Sequence, residues 1–237
     1  KLSIYILIRF YFYVFSPEFV FDVLNIQSAM VWLATIAIFL GSIYSIYHKS
    51  YLKIITFIVV AEIGYIVGGV WMGHPESLMA AIYHILADSL MTLSLFMIAG
   101  TILFYIKSDK VEDFSKVFKQ LPITSIALII VFASIIGIPP TSGFFSKFYL
   151  IKSAFQLGYY QFIVALLVSS LTALFLFFRF FEAYFYQSEQ QSSLIRIKES
   201  KRFTIPLISV SAGIILLGLT CSYWFQYIMI IIPKGLR

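Results

Sequence analysis

Charged residues are scarce in this sequence. They make up 12% of its 237 residues, whereas a soluble domain carries about 25%. Hydrophobic residues reach 61%, and the mean hydropathy is +0.95. An ordinary soluble domain is therefore excluded, and the composition indicates an all-α membrane protein whose main solvent is the lipid bilayer.

Cysteine is nearly absent too. Cys221 is the only one, which excludes a disulfide framework, and we expect it to pack within its apolar run. The sequence contains no metal-binding motif, phosphate-binding loop, nucleotide fingerprint or nucleophile–base arrangement. We therefore expect no cofactor, no metal and no redox chemistry in this chain. Its net charge of +6 does not indicate nucleic acid binding, because the basic residues lie in short loops between apolar segments.

Long apolar segments recur along the whole chain. A straight helix needs about 20 residues to cross the hydrocarbon core of a bilayer, so the first segment is short and the fifth and last are long. The sequence starts at Lys1 and enters an apolar segment at once, which we interpret as a fragment or a split gene product. We predict about seven transmembrane crossings, at residues 2–15, 28–47, 54–73, 78–106, 122–157, 161–186 and 203–232.

Lysine and arginine are concentrated in three of the loops between these segments, at 48–53, 107–120 and 187–202. The positive-inside rule places these loops on the cytoplasmic or matrix side. The linkers 16–27 and 73–77 contain acidic residues and no lysine or arginine, as expected on the outer side. The sequence thus predicts a multi-pass protein of a bacterial or archaeal cytoplasmic membrane or of the mitochondrial inner membrane.

Helix-breaking residues interrupt the fifth apolar segment in the stretch GIPPTSGFFSKFYLI. Basic loops on the same side require an even number of crossings between them, so the fifth segment counts as one crossing with a break inside it. Proline removes a backbone donor and frees carbonyl groups, which is tolerated at membrane depth only against protein or a water-filled cavity. The alternative is a simple proline kink followed by a lysine at a loop end. We assign the break to Gly137, Pro139, Pro140 and Gly143.

Ionisable residues inside predicted spans are costly and mark ion pathways by default. Lys147 directly follows the break. His84, Asp88 and Thr92 are spaced by four residues, which places them on one face of a helix. Two interpretations stay open for His84 and Asp88: a proton relay, or a polar contact that joins helices.

Glu62 lies in the middle of the third segment without a charged neighbour at helical spacing. Its partner must come from another helix or from water. It is a buried neutral acid, the partner of a lysine, or a cation ligand, and the sequence does not choose among these. For Arg179 and Glu182, three residues apart, we predict a structural ion pair, and for Lys152 a structural role.

Four stretches resemble antiporter-like, ion-pumping membrane subunits. This family includes the large membrane-arm subunits of respiratory complex I, the large subunits of multisubunit sodium/proton antiporters and relatives in energy-converting hydrogenases. The fourth stretch matches the family signature G-I-P-P-x-x-G-F-x-x-K-F almost letter for letter. The stretches are Lys1 with YILIRF, YLKIITFIVVAEIGYIVGG, YHILADSLMTLSLFMIAG and GIPPTSGFFSKFYLI.

The resemblance implies fourteen spans in a complete subunit, with two inverted five-helix repeats. This chain resembles the second half, with the end of a central helix and an outer loop at 1–27, one repeat at 28–186, and a basic loop and C-terminal helix at 187–237. The family's central lysine falls on Lys1, and its outlet residue, a lysine or a glutamate, falls on Lys147.

The chain also departs from the family pattern. Thr92 stands where many members have a lysine, and Asp88 where they have a second histidine. Glu62 stands where a neutral polar residue is usual.

The resemblance implies proton or sodium translocation through Lys1, Glu62, His84, Asp88 and Lys147. The chain would be the second half-channel of a subunit in a redox-driven respiratory complex. The alternatives are a subunit of a multisubunit sodium/proton antiporter and a non-conducting structural subunit. The implied partners are other membrane-arm subunits, including a chain that supplies the first half, redox subunits and the lipid bilayer.

Overall fold

The computed structural model describes residues 1–24, 26–186 and 198–232, and all regular elements in these ranges are helical. Short π-helical turns follow α1, and a 3-10 turn precedes α5. The helices are α1 (Leu2–Arg9), α2 (Gln27–Tyr47), α3 (Tyr51–Trp71), α4 (Pro75–Ile106), α5 (Phe114–Gln120), α6 (Pro122–Ile136), α7 (Ser142–Gln156), α8 (Tyr160–Tyr186), α9 (Lys201–Leu219) and α10 (Cys221–Ile231).

Five of these helices are long and apolar enough to cross a membrane: α2, α3, α4, α8 and α9. The prediction of an all-helical, multi-pass membrane protein is confirmed at this level. Two predicted segments are each divided, because the fifth forms α6 and α7 and the last forms α9 and α10. Residues 187–197, which form most of the third predicted basic loop, lie outside the described residues.

The predicted basic loops meet at one end of the bundle, which we call the basic end. The Val111 amide donates to the Lys49 carbonyl at 2.9 Å, and the Tyr51 amide donates to the Asp109 carbonyl at 2.6 Å. These bonds join the loop between α2 and α3 to the loop after α4. In the latter loop, hydrogen bonds from Lys116 and Ser108 hold the pKa of Asp113 below its ordinary value.

The end of the third basic loop lies at the same place. The Glu199 carboxylate accepts from the Ile123 amide at 2.8 Å and from the Thr124 hydroxyl at 2.5 Å, so it caps the first turn of α6. The Ser200 amide donates to the Tyr105 hydroxyl near the end of α4 at 2.8 Å. The described end of the third basic loop therefore lies at the same end of the bundle as the other two loops, as the charge pattern predicts.

The opposite end is held by different contacts. Lys152, in the last part of α7, forms an ion pair with Glu76 in the first turn of α4, with 2.9 Å between Nζ and Oε2. The Gln27 side-chain amide donates to the Met72 carbonyl at 2.6 Å, joining the start of α2 to the end of α3. Since α6 begins at the basic end and α7 ends at this one, the two helices together traverse the bundle once.

The interruption between α6 and α7 covers residues 137–141. Of the four residues that the sequence assigns to the break, Gly137, Pro139 and Pro140 lie in it, whereas Gly143 lies in the first turn of α7. Gly137 ends α6 with a φ of +92°, in the left-handed region that favours glycine. Gly143 brings the start of α7 onto the end of α6: its amide donates to Ser134 Oγ at 3.1 Å, and an added Cβ would lie 2.0 Å from the Ser134 carbonyl oxygen. Pro139 and Pro140 lie at the surface of the chain.

Tight apolar packing surrounds the interior next to this break. Leu150, Ile66 and Ala87 have no exposed surface, and Ile135 is almost as buried. The polar side chains of this region are therefore enclosed by protein. Each of them needs a partner within the bundle, because an unpaired buried charge is strongly unfavourable.

The close packing of Gly143 against the end of α6 leads to a prediction about stability. Gly143→Ala should destabilise the folded protein by about 1–3 kcal/mol, the usual cost of overpacking, because the new methyl group collides with the end of α6. The matched control is Gly100→Ala, since an added Cβ there meets nothing within 4 Å. The measurement is thermal unfolding of the assembled protein in lipid. Equal stability of the two variants would contradict this account of the break.

Candidate functional site

Lys147 lies in the second turn of α7 with only 4% of its surface exposed. Its ammonium donates to the Ile135 carbonyl and, at 3.2 Å, to the Ser170 hydroxyl. Pro139 is four residues after Ile135 and has no N–H, so the helix itself offers this carbonyl no donor. The Tyr65 ring adds a cation–π contact, with its centroid 4.9 Å from Nζ. The break thus supplies one of the groups that hold the lysine.

Glu62 comes from the middle of α3 and is 2% exposed. Its Oε1 lies 4.0 Å from Lys147 Nζ, and its Oε2 lies 3.0 Å from His84 Nε2. The sequence left three roles open for this residue. The structure places it between a lysine and a histidine from two other helices, so it is the partner of both.

His84 is fully buried and faces Ser146 and Glu62. Its Nδ1 lies 2.8 Å from Ser146 Oγ, and that hydroxyl donates to the Gly143 carbonyl at 3.0 Å. Because a serine hydroxyl has one hydrogen, Nδ1 must be the donor to Ser146. Nε2 and Glu62 Oε2 do not meet hydrogen-bond geometry despite their 3.0 Å separation.

Asp88 lies one turn after His84 on α4 and points to different partners. Its Oδ2 pairs with the Lys1 ammonium, and its Oδ1 accepts from the Thr92 hydroxyl at 2.9 Å. In the described part of the chain, no hydrogen bond or ion pair joins Asp88 to His84. The same helix face carries both residues, but their side chains meet different partners on neighbouring segments.

The predicted ion-pathway residues form one array across the bundle interior, which we call the ionisable row. It contains two sets of contacts, Lys1 with Asp88 and His84 with Glu62 and Lys147. The sets are joined on α4, where four residues span about 6 Å along the helix axis. The row runs in the order Lys1, Asp88, His84, Glu62 and Lys147, so each acidic side chain lies between two basic residues.

Two other predicted charges lie outside the row. The Arg179 guanidinium donates to the carbonyls of Ile46 and His48 at 2.8 and 3.0 Å, rather than pairing with Glu182. It thereby caps the end of α2 at the basic end. Lys152 belongs to the ion pair at the opposite end, in keeping with the structural role predicted for it.

Some neighbours of the row were missed by sequence reasoning. Tyr65 could have been found from the sequence, because it is three residues after Glu62 and therefore lies on the same face of α3. Ser146 is adjacent to Lys147 in the quoted signature. Ser170 offered no signal, because it comes from α8 and meets Lys147 only through packing. Within the described ranges, no group of three His, Cys, Asp or Glu side chains is placed to hold a metal ion.

The chain is similar to known membrane proteins. The family model described as NADH:quinone oxidoreductase/Mrp antiporter, TM, matches residues 1–175. NADH-quinone oxidoreductase subunit N of Desulforudis audaxviator is 31% identical over 231 residues, covering 92% of this chain and 46% of the relative. A Na(+)/H(+) antiporter subunit of Bacillus subtilis is 28% identical over 228 residues, covering 96% and 45%. The chain thus spans about half the length of these relatives.

A solved structure has the same fold. A chain of the membrane-bound sulfane sulfur reductase, an archaeal respiratory membrane complex, superposes with a TM-score of 0.79 at 21% identity. The match covers 86% of this chain and 41% of that one. The family predicted from the four sequence stretches is therefore confirmed. The chain belongs to the transmembrane family of NADH:quinone oxidoreductase and Mrp antiporter subunits.

Proposed function

We propose that this chain translocates ions across the membrane as the second half-channel of an antiporter-like subunit in a redox-driven respiratory complex. The observation that carries the proposal is the placement of Glu62 between Lys147 and His84, with Asp88 and Lys1 continuing the row. Four of these five residues are almost completely buried, which is energetically costly. Ionisable side chains kept inside a membrane span mark an ion pathway by default.

The proposed arrangement in the membrane has about seven crossings, with the basic end on the cytoplasmic or matrix side. In it, α6 and α7 form one crossing, and the break lies near the middle of the bilayer. This is supported by the contacts of α6 at the basic end and of α7 at the other end. The five-helix repeat would run from 28 to 186, flanked by the segments 1–27 and 187–237.

The proposed mechanism is proton transfer along the row, driven by the charge of neighbouring groups. At the 4.0 Å separation of Lys147 and Glu62, two unit charges interact by about 4 kcal/mol at an effective dielectric constant of 20. A change of charge on Glu62 or His84 is therefore large enough to decide whether Lys147 keeps its proton. Water would bridge the gap between the two sets of contacts in the row.

Two alternative functions belong to other functional classes. The likeness to a sodium/proton antiporter subunit supports a secondary antiporter, in which the partners are membrane subunits alone. A structural subunit would keep the fold without conducting. In the favoured function, the partners include other membrane-arm subunits, a chain that supplies the first half, and flavin and iron–sulfur subunits.

Replacing Lys147 tests translocation directly. Lys147→Ala should lower ion translocation at least about tenfold, because the row loses the group next to the break while assembly is kept. The control is Lys152→Ala on the same helix, which removes an ion pair at the end of the bundle and should translocate normally. The measurement is ion uptake into vesicles containing the assembled complex.

Mass spectrometry of the same purified assembly checks that each variant is incorporated and identifies the partners. Flavin and iron–sulfur subunits are expected, and an assembly of membrane subunits alone would assign the chain to an antiporter. Normal uptake by an assembled Lys147→Ala complex would leave only the structural function.

A double-variant cycle separates the structural from the ion-carrying use of Glu62. Glu62→Gln should destabilise the protein by about 3–5 kcal/mol, since it leaves the Lys147 ammonium buried without its carboxylate. Adding Lys147→Met should restore most of that stability, because no unpaired charge is then left. Translocation should stay low in both variants.

The matched control is Glu76→Gln, which breaks the half-exposed pair with Lys152 and should cost less than about 1 kcal/mol. Thermal unfolding and ion uptake are measured on the same assembled samples. A stable double variant that translocates at the normal rate would remove Glu62 and Lys147 from the pathway.

A further inference from the structure

An aromatic side chain of α10 lies between two of the helices that carry the ionisable row. Phe225 is buried, and its ring centroid lies 4.7 Å from that of Tyr83 on α4 and 4.5 Å from that of Tyr149 on α7. At such separations aromatic rings are in direct, attractive contact. Phe225 therefore joins α4 to α7 through two ring contacts.

The two tyrosines of this contact are close in sequence to members of the row. Tyr83 directly precedes His84, and Tyr149 follows Lys147 by two residues. With 3.6 residues per turn, first neighbours on a helix are turned by about 100° from each other and second neighbours by about 200°. The tyrosine rings thus face α10, while the histidine and the lysine face the row. The aromatic contact fixes the same turns of α4 and α7 that present these two row members.

The corner between α9 and α10 is itself fixed to the rest of the bundle. The last carbonyl groups of a helix have no donor within it, and the Tyr83 hydroxyl donates to the carbonyl of Leu217 in the last turn of α9 at 2.8 Å. Gly218 packs directly on the helix break, because an added Cβ would lie 2.0 Å from the Pro140 carbonyl oxygen. The corner is therefore joined both to α4 and to the break, and it determines where α10 places Phe225.

We propose that Phe225 is a positioning residue for ion transfer along the row. It acts through the two tyrosine rings, which set the positions of His84 and Lys147 on either side of Glu62. The proposal rests on the function proposed above and adds the α9–α10 corner to the parts of the chain that determine the rate. Rates are sensitive to such positioning, because a misplacement of about 1 Å caused by a distant substitution can slow a reaction about 100-fold.

Removing the ring tests the proposal. Phe225→Leu keeps an apolar side chain but lets α4 and α7 shift, so it should slow ion uptake into vesicles containing the assembled complex by about tenfold. Tyr149→Leu removes the ring on the α7 side of the same contact and should slow uptake to a similar extent. Tyr149→Phe is the conservative variant, which keeps that ring and should stay near the normal rate.

The matched control is Phe114→Leu. Phe114 is fully buried near the basic end, with its ring centroid 4.6 Å from that of Phe180 and 5.3 Å from that of Tyr51. Loss of its ring should lower the unfolding temperature about as much as Phe225→Leu, yet leave uptake per assembled complex unchanged. Thermal unfolding and uptake are measured on the same samples, which separates a loss of stability from a loss of positioning.

Slowed uptake by Phe225→Leu and Tyr149→Leu, with normal uptake by Tyr149→Phe and Phe114→Leu, supports the positioning role. If Phe225→Leu does not assemble, the comparison of Tyr149→Leu with Tyr149→Phe decides. Normal uptake by either assembled leucine variant of the contact, or equal slowing by Phe114→Leu, overturns the proposal. If Lys147→Ala still abolishes uptake in that case, only the positioning role fails, whereas normal uptake by Lys147→Ala defeats the proposed function itself.

Discussion

The contact between the Lys147 ammonium, the Glu62 carboxylate and the Ile135 carbonyl is the interaction on which the rest of the structure depends. An ammonium enclosed in apolar packing must be compensated, and here two kinds of oxygen do so. The carboxylate comes from the middle of α3. The carbonyl comes from the end of α6, where Pro139 provides no amide hydrogen. The helix break and the buried charge are therefore parts of one arrangement.

This arrangement explains why the neighbouring helices pack as they do. Gly143 lets α7 start directly against the end of α6, so that Lys147 can reach back to the carbonyl of Ile135. Ser146, on the turn of α7 that carries the lysine, positions His84 against Glu62. The row then continues along α4 to Asp88. The strongest polar contacts of the interior thus join α1, α3, α4 and α7 around one set of ionisable groups.

The sequence was enough to predict the helices, the helix break and the common end of the basic loops. Apolar length, proline and charge distribution are local signals. The partners of the buried charges were not predictable in this way. Glu62 meets Lys147 only after three helices pack. His84 and Asp88 share a helix face, yet their neighbours separate them. Arg179 binds carbonyls of α2 instead of the carboxylate three residues away, since those carbonyls become neighbours only in the folded bundle.

The most direct measurement is the depth of the break in a bilayer, determined by electron cryomicroscopy of the assembled complex in lipid nanodiscs. With a hydrocarbon core of about 30 Å, Pro139 and Pro140 should lie about 15 Å from either headgroup layer. The Lys147 side chain should extend inward to Glu62. A break at headgroup level, with α6 and α7 forming an external hairpin and the Lys147 amine in solvent, would contradict the account.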